Sequence, residues 1–205
     1  MATIYDLKPK FQALLRPIAA WLARAGVTAN GVTVAALLLS VAQGAWLALA
    51  PDEALPLLLL PVTLFVRMAL NALDGLMAKE HGMATPQGAV LNELSDVIAD
   101  AALYLPFALI PGVSASLVAL VVVTGIIAEM AGALGPLIRA PRHYDGPFGK
   151  SDRALAFGLL AVLLGLDLGL GLAPGLWTSV YLGILLALSV CTVINRARRI
   201  VAEAP

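Results

Sequence analysis

The chain has 205 residues, 60% hydrophobic and 13% charged, with a formal net charge of +0 and a mean hydropathy of +0.92. Soluble domains carry about 25% charged residues, so this composition cannot cover a water-facing surface, and the solvent is lipid. The charge balance gives no reason to expect a nucleic-acid partner, and the single cysteine, Cys191, excludes an intramolecular disulfide and a cysteine-held metal cluster.

Residues 1–26 do not read as a signal peptide, because Lys8, Lys10, Arg16 and Arg24 interrupt their apolar run. Ile4, Leu7, Phe11, Leu14, Leu15, Ile18, Trp21 and Leu22 instead recur at three- and four-residue steps. That spacing predicts an amphipathic helix lying in the membrane surface. A membrane-crossing helix needs about 20 mostly apolar residues. Six segments meet that length, at 31–50, 54–78, 87–111, 114–138, 154–172 and 175–195, with Pro51, Pro86, Gly112, the 141–149 loop and Pro174-Gly175 in the gaps. The expected fold is all-α: an integral membrane six-helix bundle over residues 27–200, preceded by the interfacial helix.

Basic residues orient the bundle. Lys79 follows the second span, Arg139, Arg142, Lys150 and Arg153 lie between the fourth and fifth, and Arg196, Arg198 and Arg199 follow the sixth. All fall on one side together with the basic N-terminal helix, which predicts cytoplasmic termini and a cytoplasmic 79–86 turn. The alanine- and leucine-rich composition points to a bacterial inner membrane.

Ionisable groups inside a span are costly and mark function. On the second span Arg67, Asn71, Asp74 and Ala78 follow steps of four, three and four; on the third, Gly88, Asn92, Asp96 and Asp100 follow steps of four. Each set forms one helical stripe, and the short turn between the spans makes them antiparallel neighbours. Converging carboxylates repel unless a cation sits between them. With oxygen donors and no paired histidines, Mg²⁺ or a similar hard ion is the natural candidate. His81 and His143 lack ligand spacing and are read as loop residues.

From Asn71 the sequence reads N-x-x-D-G-x-x-A-K-x8-G-x-x-x-N-x-x-x-D, ending at Asp96. This resembles the CDP-alcohol phosphotransferase signature, D-x-x-D-G-x-x-A-R-x8-G-x-x-x-D-x-x-x-D. Asp74, Gly75, Ala78, Gly88 and Asp96 match in identity and spacing, Lys79 replaces Arg, and Asn71 and Asn92 replace Asp. Thr28-Ala29-Asn30-Gly31-Val32-Thr33 is similar to the Thr-Pro-Asn-x-x-Thr that opens the family's first span.

The resemblance implies transfer of a substituted phosphate from a CDP-linked donor, in bacteria usually CDP-diacylglycerol, to an alcohol, with release of CMP. By position, Asn71, Asp74, Asn92 and Asp96 stand where the family holds its metals, Mg²⁺ or Mn²⁺, and Asp96 where it has its general base. Asn30, Thr33, Asn71, Asp74, Gly75, Ala78, Lys79 and Gly88 would meet the donor nucleotide. Two carboxylates in place of four predict weak binding of a second ion, or binding only with the donor diphosphate present, with Glu93 or Asp100 as accessory acids. The 148–153 segment resembles the family's acceptor-side loop, which makes Arg139, Lys150 and Arg153 candidates for a phosphate; topology and lipid contact are their plainer roles. Arg67 and Glu129, both within spans, have an interior polar role: they either pair or line the acceptor pocket. Family members are commonly homodimers. Two other readings are a small cation transporter or channel, which the lack of any ionisable group but Tyr104 in 101–110 disfavours, and a CDP-lipid-binding relative with weakened turnover.

Overall fold

The computed structural model describes residues 4–168 and 174–204. Among them seven α-helices run in chain order: α1 (Ile4–Arg24), α2 (Ala29–Leu49), α3 (Ala54–Glu80), α4 (Pro86–Tyr104), α5 (Ala115–Ala133), α6 (Lys150–Gly165) and α7 (Pro174–Ala202). Short 3-10 turns follow α4 (Leu105–Leu109) and α5 (Gly135–Ile138). No strand is present among the described residues.

Four segments are long and apolar enough to cross a membrane: Ala29–Leu49, Ala54–Glu80, Ala115–Ile138 and Gly175–Ala202. The other two predicted spans differ from expectation for identifiable reasons. The segment predicted at 87–111 carries Glu93, Asp96 and Asp100, and its α-helix stops at Tyr104 because Pro106 lacks an N–H and its ring crowds the preceding turn. The segment predicted at 154–172 starts earlier, at Lys150, and its helix has 16 residues, ending at Gly165. The end of that span, 169–172, and residues 1–3 of the predicted surface helix lie outside the described residues.

The chain forms two compact units, Met1–Ala42 with Val62–Ala99, and Gln43–Pro61 with Asp100–Pro205. In the first, α1 ends in a Schellman turn: Gly26 takes the left-handed φ of 82°, and Val27 N donates to Leu22 O. Thr28 then opens α2 by accepting from Gly31 N at 3.1 Å, and Thr85 opens α4 the same way from Gly88 N at 2.9 Å. Leu15 and Ala19 of α1 pack into a core with Val32, Leu73, Leu76 and Met77. Leu14, Ile18 and Trp21, on the neighbouring edge of the same helix, remain exposed. The apolar stripe of α1 is therefore divided between this core and an outward face.

In the second unit the core gathers Leu103, Tyr104, Phe107, Val118, Phe157, Leu160 and Leu182. Tyr104 stacks on Phe157 with centroids 4.2 Å apart. A Cβ at Gly44 would fall on the carbonyl of Ala102, a backbone group that cannot rotate aside. Gly44→Ala is expected to cost about 1–3 kcal/mol, visible as a lowered Tm of the detergent-solubilised protein.

Candidate active site

The polar stripe of α3 is retained in the fold. Arg67 is buried, Asn71 half-buried and Asp74 buried, at successive turns of one helix. From α2, Thr33 reaches Asp74: its hydroxyl lies 2.7 Å from Asp74 Oδ2 and 3.2 Å from Ala29 O. One hydroxyl proton cannot serve both, and the shorter contact to a charged acceptor takes it.

From α4, Asp96 meets the other end of the stripe. Asn71 Nδ2 donates to Asp96 Oδ1 at 2.9 Å. Arg67 Nη2 donates to the Asp96 backbone carbonyl at 3.1 Å and stands 3.5 Å from Oδ1 of the same residue. The two halves of the motif thus meet through Asn71 and Asp96, with Asp74 one turn along α3 and tied to α2. Asn92 lies half-buried one turn before Asp96, Glu93 beside it is half-buried, and Lys79 is exposed in the last turn of α3 beside the half-buried Ala78.

The two motif glycines do different work. A Cβ at Gly88 would stand 2.6 Å from Asn30 Oδ1 and 3.0 Å from Thr85 Oγ1. Gly88 therefore admits the Asn30 side chain of α2, an internal packing role. A Cβ at Gly75 would meet nothing within 4 Å. Among the described residues the space above Gly75 is open, and none of them packs so closely as to require a glycine there.

The acceptor-side candidates belong to the second unit. Arg139 is exposed with φ at 60°, and Lys150 is half-buried at the start of α6. Arg153 is buried, and its Nη2 lies 3.0 Å from Asp100 Oδ2 and 2.9 Å from Glu129 Oε1. Two candidates are thereby spoken for by each other: Asp100, expected as an accessory ligand, and Arg153, expected on the acceptor side, form a buried ion pair. Glu129 also stands 3.5 Å from Arg196 Nη1. Arg196 in turn donates to the carbonyls of Ala128, Tyr144 and Asp145, pinning the loop before α6 to α7. His143 in that loop sits between Asp145 and Glu203, at 3.0 and 3.1 Å.

From the sequence, Arg67 and Glu129 have no assigned partner, and Arg196 is only a topology charge. The signal for Arg67 was its place four residues before Asn71 on the same stripe. Arg196 carried a comparable signal, since it continues a polar edge of α7 through Ser189 and Thr192.

Residues 26–195 match the family model described as CDP-alcohol phosphatidyltransferase. The chain belongs to this family. It is 48% identical to the inner membrane protein YnbA of Escherichia coli strain K12 over 198 residues, 97% of this chain and 96% of that protein. Its fold is similar to that of Mycobacterium tuberculosis phosphatidylinositol phosphate synthase with CDP-DAG bound, at 24% identity and a TM-score of 0.72, covering 90% of this chain and 92% of that one. The same synthase in complex with manganese and citrate gives a TM-score of 0.69 at 24% identity, with 91% and 88% covered. At this identity the likeness shows the fold. With four apolar helices of membrane length, this family member is an integral membrane protein.

Among the described residues no three His, Cys, Asp or Glu side chains gather to hold an ion. The motif offers hard oxygens on two adjoining helices: the Asn71 amide against the Asp96 carboxylate, with Asp74 one turn along α3 and Asn92 one turn before Asp96. Oxygen donors of this kind are those a hard ion such as Mg²⁺ or Mn²⁺ takes.

Proposed function

We propose that the protein transfers a phosphatidyl group from CDP-diacylglycerol to an alcohol, releasing CMP, as a metal-dependent step of phospholipid biosynthesis. The observation that carries this reading is the Asn71–Asp96 hydrogen bond, which joins the α3 and α4 halves of the motif beside the open space over Gly75. In this reading Asp96 takes the proton of the acceptor hydroxyl as it attacks the lipid-bearing phosphorus. Asp74, oriented by Thr33, and Asp96 hold the ion, with the amide oxygens of Asn71 and Asn92 completing its shell. When bound, the ion neutralises the diphosphate and the charge that develops at phosphorus. The backbone at Gly75 lets the nucleotide approach α3 closely, while Ala78 keeps the next turn low and Lys79 offers a charge to a phosphate. Asn30, Thr33 and Gly88 shape the donor side.

For the acceptor we assign Arg139 and Lys150 to a phosphate on the alcohol or on lipid. α4 and α6 complete a six-span bundle with cytoplasmic termini and active site in a bacterial inner membrane, and α1 lays Leu14, Ile18 and Trp21 into the membrane surface. The working unit is a homodimer, as is common in the family. An ion path along α4 is disfavoured, because past Asp100 that helix enters the stacked core of Tyr104, Phe107 and Phe157.

Purified protein incubated with CDP-diacylglycerol, Mg²⁺ or Mn²⁺ and a panel of alcohols tests the reading. CMP release that requires both metal and one class of alcohol is expected, and identification of the lipid formed names the acceptor. No CMP with any alcohol and either metal sinks the proposal. Gly75→Val is expected to leave the Tm within a few degrees of wild type and to weaken CDP binding at least about tenfold, a loss of about 1.4 kcal/mol, read by calorimetry.

A further inference from the structure

We propose that Arg67 and Asn71 take the place of a second divalent ion, so that the site holds one metal and one resident guanidinium. This rests on the metal-dependent reading above and concerns how many ions the site accepts. Asp74 and Asp96 supply two negative charges, and Arg67 returns one positive charge from within the fold. Arg67 is 3% exposed and its Nη2 is hydrogen-bonded to the Asp96 carbonyl as well as facing the Asp96 carboxylate. It is therefore held in place by the α4 backbone and does not swing aside when a cation arrives.

Asn71 works in the same direction. A carboxylate at position 71 would face Asp96 at hydrogen-bonding distance and demand a cation between them. The amide instead presents Nδ2 to Asp96 Oδ1 at 2.9 Å and satisfies that oxygen directly. Asp74, Asp96 and Arg67 together carry about one net negative charge, which one divalent ion more than neutralises; a second would have to enter against a net positive charge on these three side chains and the first ion. Aspartates at 71 and 92 would add two negative charges and remove the internal donor, which restores the demand for a second ion.

The test counts ions on the resting protein, without donor or acceptor. Mn²⁺ binding followed by electron paramagnetic resonance is expected to give one ion per chain for wild type. The Asn71→Asp/Asn92→Asp double variant is expected to bind a second ion at least tenfold more tightly than wild type does. Arg67→Gln, which keeps a donor for the Asp96 carbonyl but removes the charge, is expected to move the second ion in the same direction. Because Arg67 is buried and its variant is exposed to misfolding, the near-isosteric double variant decides if Arg67→Gln does not yield folded protein. Two ions of comparable affinity in wild type, or no gain in the double variant, overturns the inference. Two tight ions together with normal CMP release would remove only this inference and leave the transferase reading standing; one ion without CMP release from any alcohol would do the reverse.

Discussion

Replacing Asp96 by Asn is expected to stop CMP release while CDP still binds. The substitution is close to isosteric, and the amide oxygen at position 96 still accepts from Asn71 Nδ2, the bond that joins α3 to α4. The Arg67 hydrogen bond to the position-96 carbonyl belongs to the backbone and is indifferent to the side chain. What disappears is a group able to take a proton, together with one of the two carboxylates assigned to the metal. General-base assistance contributes about 10²–10⁴-fold, equivalent to about 3–5 kcal/mol of the barrier, so turnover should fall by at least that range. CDP contacts assigned to Asp74, Gly75 and Lys79 are untouched, and calorimetry with CDP should report binding. A variant that releases CMP at the wild-type rate would show that Asp96 is not the base.

The part of this site that was legible in the sequence is the part built from short-range order. Helical stepping put Arg67, Asn71 and Asp74 on one face of α3, and Asn92 and Asp96 on one face of α4, because side chains three and four residues apart share a face whatever surrounds them. Pro86, read as punctuation before the third span, likewise stands at the start of α4 for a local reason. Pairing across helices was not legible. Stepping places Arg67 on the stripe but cannot say that its partner is Asp96 and not Glu129. Nor can it bring Arg153 to Asp100, 53 residues away, or Arg196 to the carbonyl of Ala128, 68 residues away. The apolar run around 87–111 was read as one span because hydropathy averages over Pro106, whereas the backbone responds to that single residue by leaving the α-helix at Tyr104. The approach of Asn30 to Gly88 was not legible either, because spacing does not reveal which side chain comes up against a glycine.

Removing Arg153 is expected to be the most destabilising single change outside the motif. Its guanidinium joins Asp100 of α4 to Glu129 of α5 from the first turn of α6, and Gly125 leaves room for its stem: a Cβ there would sit 3.1 Å from Arg153 Cδ. Arg153→Met fills that room but leaves two carboxylates without their shared cation, and breaking a buried pair in this way costs about 3–5 kcal/mol. For a chain of this length that is a Tm fall of roughly 6–20 °C, persisting at about 0.5 M salt because buried pairs are poorly screened. Asp100→Asn added to Arg153→Met removes one of the orphaned charges and should recover part of the loss. Among the described residues Arg153 Nη1 is buried without a hydrogen-bond partner, which gives the side chain a donor for an oxygen of the acceptor, and kinetics separate the two roles. If Arg153 is an anchor, the double variant regains Tm and kcat together at an unchanged KM for the alcohol. If it grips the acceptor, Tm returns but KM stays high, and the ion pair with Asp100 is then the means by which the gripping side chain is aimed.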